Sequence, residues 1–250
     1  MRTYSKESYR HLLRLALNRG YKIVDFLDET LDEPRIYLRL DVDRSLSMAV
    51  EIAEVNASLD VRGTFCLLLR SPNYNLLSYS ELEQARRIHA LGQHLALHYA
   101  LPPEIPASDE EFADLIRAEF ALACEFLPEM QPAFSWHDPT PEVLERGLKL
   151  EIPGYVNMYH ERFFKEIPYF SDSCMRHTVA EFEKIIEANH PAMQLLFHPL
   201  FWVVGGADFA EGWALVWQRL VSCQTHPALG TPDEAWRGFV EKWYRAFEDN

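Results

Sequence analysis

The chain has 250 residues, 48% of them hydrophobic, and a formal net charge of −14. That size and apolar content suit one large domain with a substantial core. The acidity argues against a nucleic-acid backbone or an anionic lipid surface as partner.

Residues 4–19 read as a helix with a broad apolar stripe (Tyr9, Leu12, Leu13, Leu15, Ala16, Leu17) that Gly20 stops. A short strand or cover follows over 21–27. The first firm strand spans roughly 36–41 and ends on Asp41 and Asp43, two residues apart, and a helix follows it to about Leu59. The apolar run 62–69 reads as a strand covered on both faces, as parallel strands are. Ser80 with Glu83 forms a capping box for the next helix, which Gly92 ends. His94–His98 is a strand running into Tyr99, and Ser108 with Glu111 opens a helix to about Phe126. Residues 133–137 form a strand ending on His137, and Thr140-Pro141 starts a short helix. Short strands are expected near 154–158 and 168–171, and Thr178 with Glu181 caps a helix to about Ala188. The strand 192–198 again ends on a histidine. Two closing helices are expected after residue 205, at roughly 208–223 and from a Thr231/Glu234 cap to about Phe247.

Strand and helix alternate six or seven times, which predicts a parallel α/β fold, a distorted (β/α) barrel of about seven strands. No Gly/Ser/Pro-rich linker or internal repeat divides residues 1–250, so a single domain is expected, with helix 4–19 and the C-terminal helices packed on it. No run reaches the roughly eighteen apolar residues of a membrane span, and the amino terminus lacks an apolar signal core. The expected location is the cytoplasm, and the oligomeric state is left open. Cys66, Cys124, Cys174 and Cys223 form no C-x-x-C pair; packing is the default role of each.

Four strands end in metal-capable side chains: Asp41/Asp43, His98, His137 and His198. In a parallel barrel their tips share one rim. The spacing alone leaves two readings open, a metal site or a set of hydrogen-bonded structural histidines. His94 is set aside. Four residues along a strand span about 13 Å, too far for His94 and His98 to share an ion with ligands at about 2 Å. Aromatic residues near the tips (Tyr99, Trp136, Tyr169, Phe201, Trp202) suit the apolar faces of sugar rings or the core; Trp202 is the preferred wall residue.

Leu40-Asp41-Val42-Asp43, the Gly63-Thr64-Phe65 strand start, Gly92-Gln93-His94-Leu95-Ala96-Leu97-His98-Tyr99 and Phe197-His198-Pro199 resemble the polysaccharide deacetylase superfamily, and more closely a bacterial branch associated with surface-polysaccharide (O-antigen) modification. The likeness covers most of residues 20–205 in the expected order. It implies that Asp41 is the general base, Asp43 and His98 are metal ligands, and His198 is the general acid. It implies a divalent metal, zinc first, with nickel, cobalt or manganese as alternatives, and an acylated amino sugar as substrate. The chain departs from the pattern in three places. Val42 separates two acids that the family places side by side. Pro102 stands where the family has its second metal histidine. The Arg-x-Pro-Tyr motif is missing, and Ser135-Trp136-His137-Asp138-Pro139 occupies its approximate place. His137 is therefore assigned as the replacement ligand; the competing idea is a site that binds metal weakly or not at all. Ser171-Asp172-Ser173 resembles the family's Asp-Ser motif, and Asp172 or Tyr99 is a candidate to orient His198.

Overall fold

A computed structural model describes residues 3–28 and 34–223, the side chains of 221–223 excepted. The helix expected from Thr231 lies outside the described residues. The strands are β1 (Lys22–Val24), β2 (Arg35–Val42), β3 (Thr64–Leu68), β4 (His94–Ala100), β5 (Met130–His137), β6 (Val156–Asn157), β7 (Tyr169–Ser171) and β8 (Ala192–Phe197). Every pairing among them is parallel, in the order β6-β5-β4-β3-β2-β8-β7, with β1 added beside β2. β6 and β7 do not pair, so the expected (β/α) barrel is curled but not closed.

Period-two alternation divides the strand residues between two cores. Ile36, Leu38, Leu40, Leu95, Leu97, Phe134 and Trp136 face the helices and build the larger core. Tyr37, Cys66, Ala96 and Ala133 face inward and pack with Phe26, Met158 and Phe163 as a plug inside the barrel. Above that plug, the inward positions turn polar towards the carboxyl ends of the strands, where Arg39, Asp41, His98 and Ser135 are all buried.

The crossover helices α1 (Lys6–Asn18), α2 (Leu46–Ala57), α3 (Tyr79–Ala90), α4 (Asp109–Cys124), α5 (Pro141–Gly147), α6 (Glu161–Phe164), α7 (Val179–Glu187), α8 (Pro199–Val204) and α9 (Phe209–Cys223) follow local signals. Ser5, Ser45, Ser108, Thr140 and Thr178 each accept a backbone N–H at the start of a helix, and Thr178/Glu181 completes a reciprocal capping box. One cap is corrected. Ser78, not Ser80, accepts from the Glu81 backbone and starts α3. Both serines precede a glutamate by three, so the pattern fitted two registers. Cys66 is buried and Cys124 half-buried, but Cys174 is exposed and sits at φ 55° in a tight turn, so packing does not account for it.

Candidate metal centre and catalytic rim

Three strand tips converge. β2 carries Asp41 inward and hands the chain to Asp43 just past its end. The β3–β4 and β4–β5 registers align Leu68 with His98, His98 with Ser135 and Ala100 with His137. His98 and His137 therefore stand one step apart on neighbouring strands, with ring centroids 4.9 Å apart and planes nearly perpendicular. The Asp43 carboxylate meets both rings. Its Oδ1 lies 3.2 Å from His98 Nε2 and 3.4 Å from His137 Nδ1, and those two nitrogens are 3.1 Å apart.

These separations test whether a metal fits. Ligands about 2.0–2.1 Å from a tetrahedral ion lie roughly 3.3 Å from one another, which is the spacing of this triangle. Asp43 Oδ1 is buried with no hydrogen-bond partner, a costly arrangement that a cation would relieve. The donor set, one carboxylate and two imidazoles, suits zinc-like divalent ions. Among the described residues, Asp43, His98 and His137 are the group able to hold an ion. His98 Nδ1 contacts Ser135 Oγ at 2.7 Å, which leaves Nε2 to the ion. The His98 side chain is 2% exposed and that of His137 32%, so the centre opens to solvent on the His137 side.

Two further groups flank the triangle. Asp41 is buried, and burial pushes its carboxyl up; Arg39 outweighs this and holds it below the usual range. The pair is bidentate, Arg39 Nε to Oδ1 at 2.9 Å and an Nη to Oδ2 at 2.6 Å. Arg39 also donates to Tyr159 Oη at 3.1 Å and lies over the Tyr159 ring. Asp41 Oδ2 comes within 3.6 Å of His98 Nε2. On the other side, His198 Nε2 is 3.7 Å from Asp43 Oδ2, while its Nδ1 is 2.5 Å from Asp172 Oδ1. Burial alone lowers the basicity of His198, but Asp172, with help from Asp43 and Asp41, raises its pKa to about 9. Asp43 is likewise pushed up by burial and then held well below the carboxylate range by His137, His98 and His198.

Asp172 is the anchor of this half of the rim. It accepts the His198 backbone N–H and the Trp202 indole N–H, the latter at 2.8 Å. Trp202 is fully buried among Tyr4, Tyr9, Phe182 and Phe197, so it supports Asp172 rather than walling a pocket. Tyr99 and Trp136 also lie away from the centre. Each follows or precedes an inward histidine by one residue and so points to the helix layer, where the two rings meet edge-on and Trp136 packs on Phe112. Neither lines the site, and Tyr99 does not orient His198. His94 sits at the far end of β4, bonded to Gln131 and close to Asp25.

No protein-family model matches the sequence, and no curated protein matches it. Among solved structures, the chain is similar to a mutant of BA3943, a CE4-family pseudoenzyme, with restored enzymatic activity. The identity is 16% and the TM-score 0.47, covering 78% of this chain and 65% of that one. It spans just under two thirds of that protein's length. A family 4 carbohydrate esterase from Bacillus anthracis (14% identity, TM-score 0.43, 86% of each chain) and the peptidoglycan deacetylase PdaC from Bacillus subtilis (11%, 0.46, 79% and 86%) are similar at the same level.

Sequence reasoning missed Arg39 and Ser135. Each lies two residues before a residue that was singled out, Asp41 and His137, on a strand whose alternation was already recognised. The same period-two rule would have placed both inside the barrel.

Proposed function

We propose that the chain is a metal-dependent hydrolase that removes an N-acetyl or similar acyl group from an amino sugar, with Asp43, His98 and His137 holding a divalent ion, zinc first. One observation carries this reading: three ligand atoms at 3.1–3.4 Å from one another, flanked on one side by a carboxylate paired with Arg39 and on the other by an imidazole bonded to Asp172. An ion held there supplies Lewis acidity towards an amide carbonyl and lowers the pKa of water. Asp41, kept ionised by Arg39, accepts the proton of the attacking water. His198, kept protonated by Asp172, donates to the departing amine nitrogen. The two groups carry opposite charge states at neutral pH, as an acid–base pair requires.

A role in O-antigen or other surface-polysaccharide synthesis, a cytoplasmic location and a precursor substrate belong to the same proposal. No described helix is long and apolar enough to cross a membrane. The second reading, a sugar-binding protein on a degenerate barrel, is favoured by the proline at position 102. A phosphoesterase is less favoured, because two-metal centres need more ligands than these.

Elemental analysis of the full chain separates the readings. One equivalent of divalent metal, lost in Asp43→Ala, together with acetate release from an acetylated amino sugar, supports the hydrolase. A metal-free protein that still binds the sugar supports the degenerate barrel. Asp41→Asn is expected to abolish turnover while leaving the metal in place; wild-type turnover by that variant would remove Asp41 from the mechanism.

A further inference from the structure

Arg44 follows the proposed ligand Asp43 directly, so its backbone stands about 3.8 Å further along the rim. Its guanidinium lies over the ring of Trp213 on α9, 5.0 Å from the centroid, and donates to Asn73 Oδ1 at 2.7 Å. Asn73 is itself fixed to the ligand's backbone: its Nδ2 donates to the Asp43 carbonyl at 3.3 Å, beside Ser71 Oγ on the same oxygen. The arginine is thus held by a neutral amide and an aromatic face. Among the described residues no carboxylate reaches it, although the chain has 38 acidic residues. It is only partly exposed, and most of its N–H donors are left for a ligand.

A guanidinium held against an aromatic ring, with one Nη given to Asn73 and its other N–H groups unpaired with any carboxylate among the described residues, can take a planar or tetrahedral oxyanion. Trp213 packs on Phe201, and Phe201 on His198, with ring centroids 6.3 and 6.2 Å apart, so two ring contacts link the clamp on Arg44 to the His198 side of the candidate site. In a 2-acylamino sugar, the carbon next to the one bearing the amide is the anomeric carbon. An amide at the Asp43 triangle therefore brings the anomeric substituent to neighbouring rim positions.

We propose that Arg44, fixed by Asn73 and Trp213, binds a phosphoryl group on the anomeric carbon of the sugar, so that the substrate is a phosphate-activated amino sugar rather than a neutral polymer. This rests on the deacetylase reading above and names its substrate class. Nucleotide-linked and lipid-linked sugars share that phosphoryl chemistry.

The test is calorimetric titration of the zinc-loaded full chain with N-acetylglucosamine 1-phosphate and with methyl N-acetylglucosaminide. Wild type is expected to bind the phosphate roughly ten- to a hundredfold more tightly, the range of charge-assisted hydrogen bonds. Arg44→Met should lose most of that ratio, and Arg44→Lys should keep part of it. If Arg44→Met does not fold, Asn73→Ala, which frees the guanidinium without removing it, should narrow the ratio instead. Equal affinities in wild type, or binding of neither sugar, overturns the proposal. So does a preference that survives Arg44→Met, as expected if the phosphate ligates zinc itself. Acetate release, followed separately, reads the underlying function. Phosphate preference without acetate release sinks the hydrolase and keeps the subsite; acetate release without the preference does the reverse. A uridine-diphosphate sugar and a short-chain prenyl-diphosphate sugar, compared in the same way, distinguish the two sources.

Discussion

Replacing Arg39 with methionine leaves the Asp41 carboxylate buried without its counter-charge. The Arg39 side chain is 0% exposed and that of Asp41 3%, and both carboxylate oxygens are engaged by the guanidinium. Breaking such a pair by removing one partner costs about 3–5 kcal/mol, because the remaining charge is uncompensated, whereas removing both is far milder. Asp41→Asn in the Arg39→Met background should therefore recover part of the loss, giving a coupling of about 2 kcal/mol in a double-mutant cycle. For a chain of this size the single variant should lose on the order of 10 °C in Tm. Urea unfolding followed by tryptophan fluorescence, with chelator present at pH 7, measures all four corners of the cycle. Single-variant losses that add to within about 0.5 kcal/mol would show that the pair is not coupled and that Arg39 does not set the state of Asp41. The same variant has a kinetic signature. Arg39 holds the Asp41 pKa down, so its loss raises that pKa, and the acid limb of kcat/KM should move to higher pH. A purely structural Arg39 would lower activity without moving the limb.

The remaining expectations concern the opposite side of the rim and the helix-facing aromatics. His198 is raised from 6.5 to about 9, chiefly by Asp172 once burial is overcome. In metal-free protein its contribution to stability should be complete below pH 6.5 and fade as pH rises through about 9. Asp172→Asn keeps the shape but removes the charge, so the alkaline limb of activity should fall by roughly two pH units towards the ordinary histidine value; an unmoved limb would take His198 out of the acid role. Tyr99→Phe removes a hydroxyl on the helix side of β4, beside the Arg70–Glu119 pair. Turnover should stay within twofold of wild type and stability within about 1 kcal/mol, and a hundredfold loss in acetate release would put Tyr99 back in the site.

The fold was legible because the longer strands are largely apolar runs and four strands end in a side chain out of keeping with a core. The order of the tips followed from alternation of strand and helix. What was less legible is instructive. Tyr99 and Trp136 were drawn towards the site by their nearness in sequence to His98 and His137, although adjacent strand residues point to opposite faces. Arg39 was overlooked because a basic residue inside an apolar strand reads as an edge or an exception. Its partner two residues on makes it neither. Asp172 was found by resemblance; that it holds His198 and Trp202 at once depends on β7 lying beside β8. That pairing joins residues 25 apart and leaves no local trace.

The absent second histidine is the departure that most threatens the proposed metal centre, and the strand register offers a substitute ligand. A ligand four residues beyond His98 would come from the loop after β4, where Pro102 now stands. β5 lies directly beside β4, and its pairing sets His137 opposite Ala100, one step above His98. The imidazole is thus delivered by a strand, 3.4 Å from the Asp43 carboxylate. A strand tip is the firmer support, since its position is set by backbone hydrogen bonds on β4. The Asp41-Val42-Asp43 spacing is compatible with the same solution. With one residue between them, both acids face the barrel interior by simple alternation, Asp41 against Arg39 and Asp43 against the histidines. Adjacent acids would need a turn between them to do so. A parallel rim fixes where ligand atoms can meet but not which strand must supply them, so the geometry of an ion's surroundings can persist after the sequence motif that usually marks it is gone.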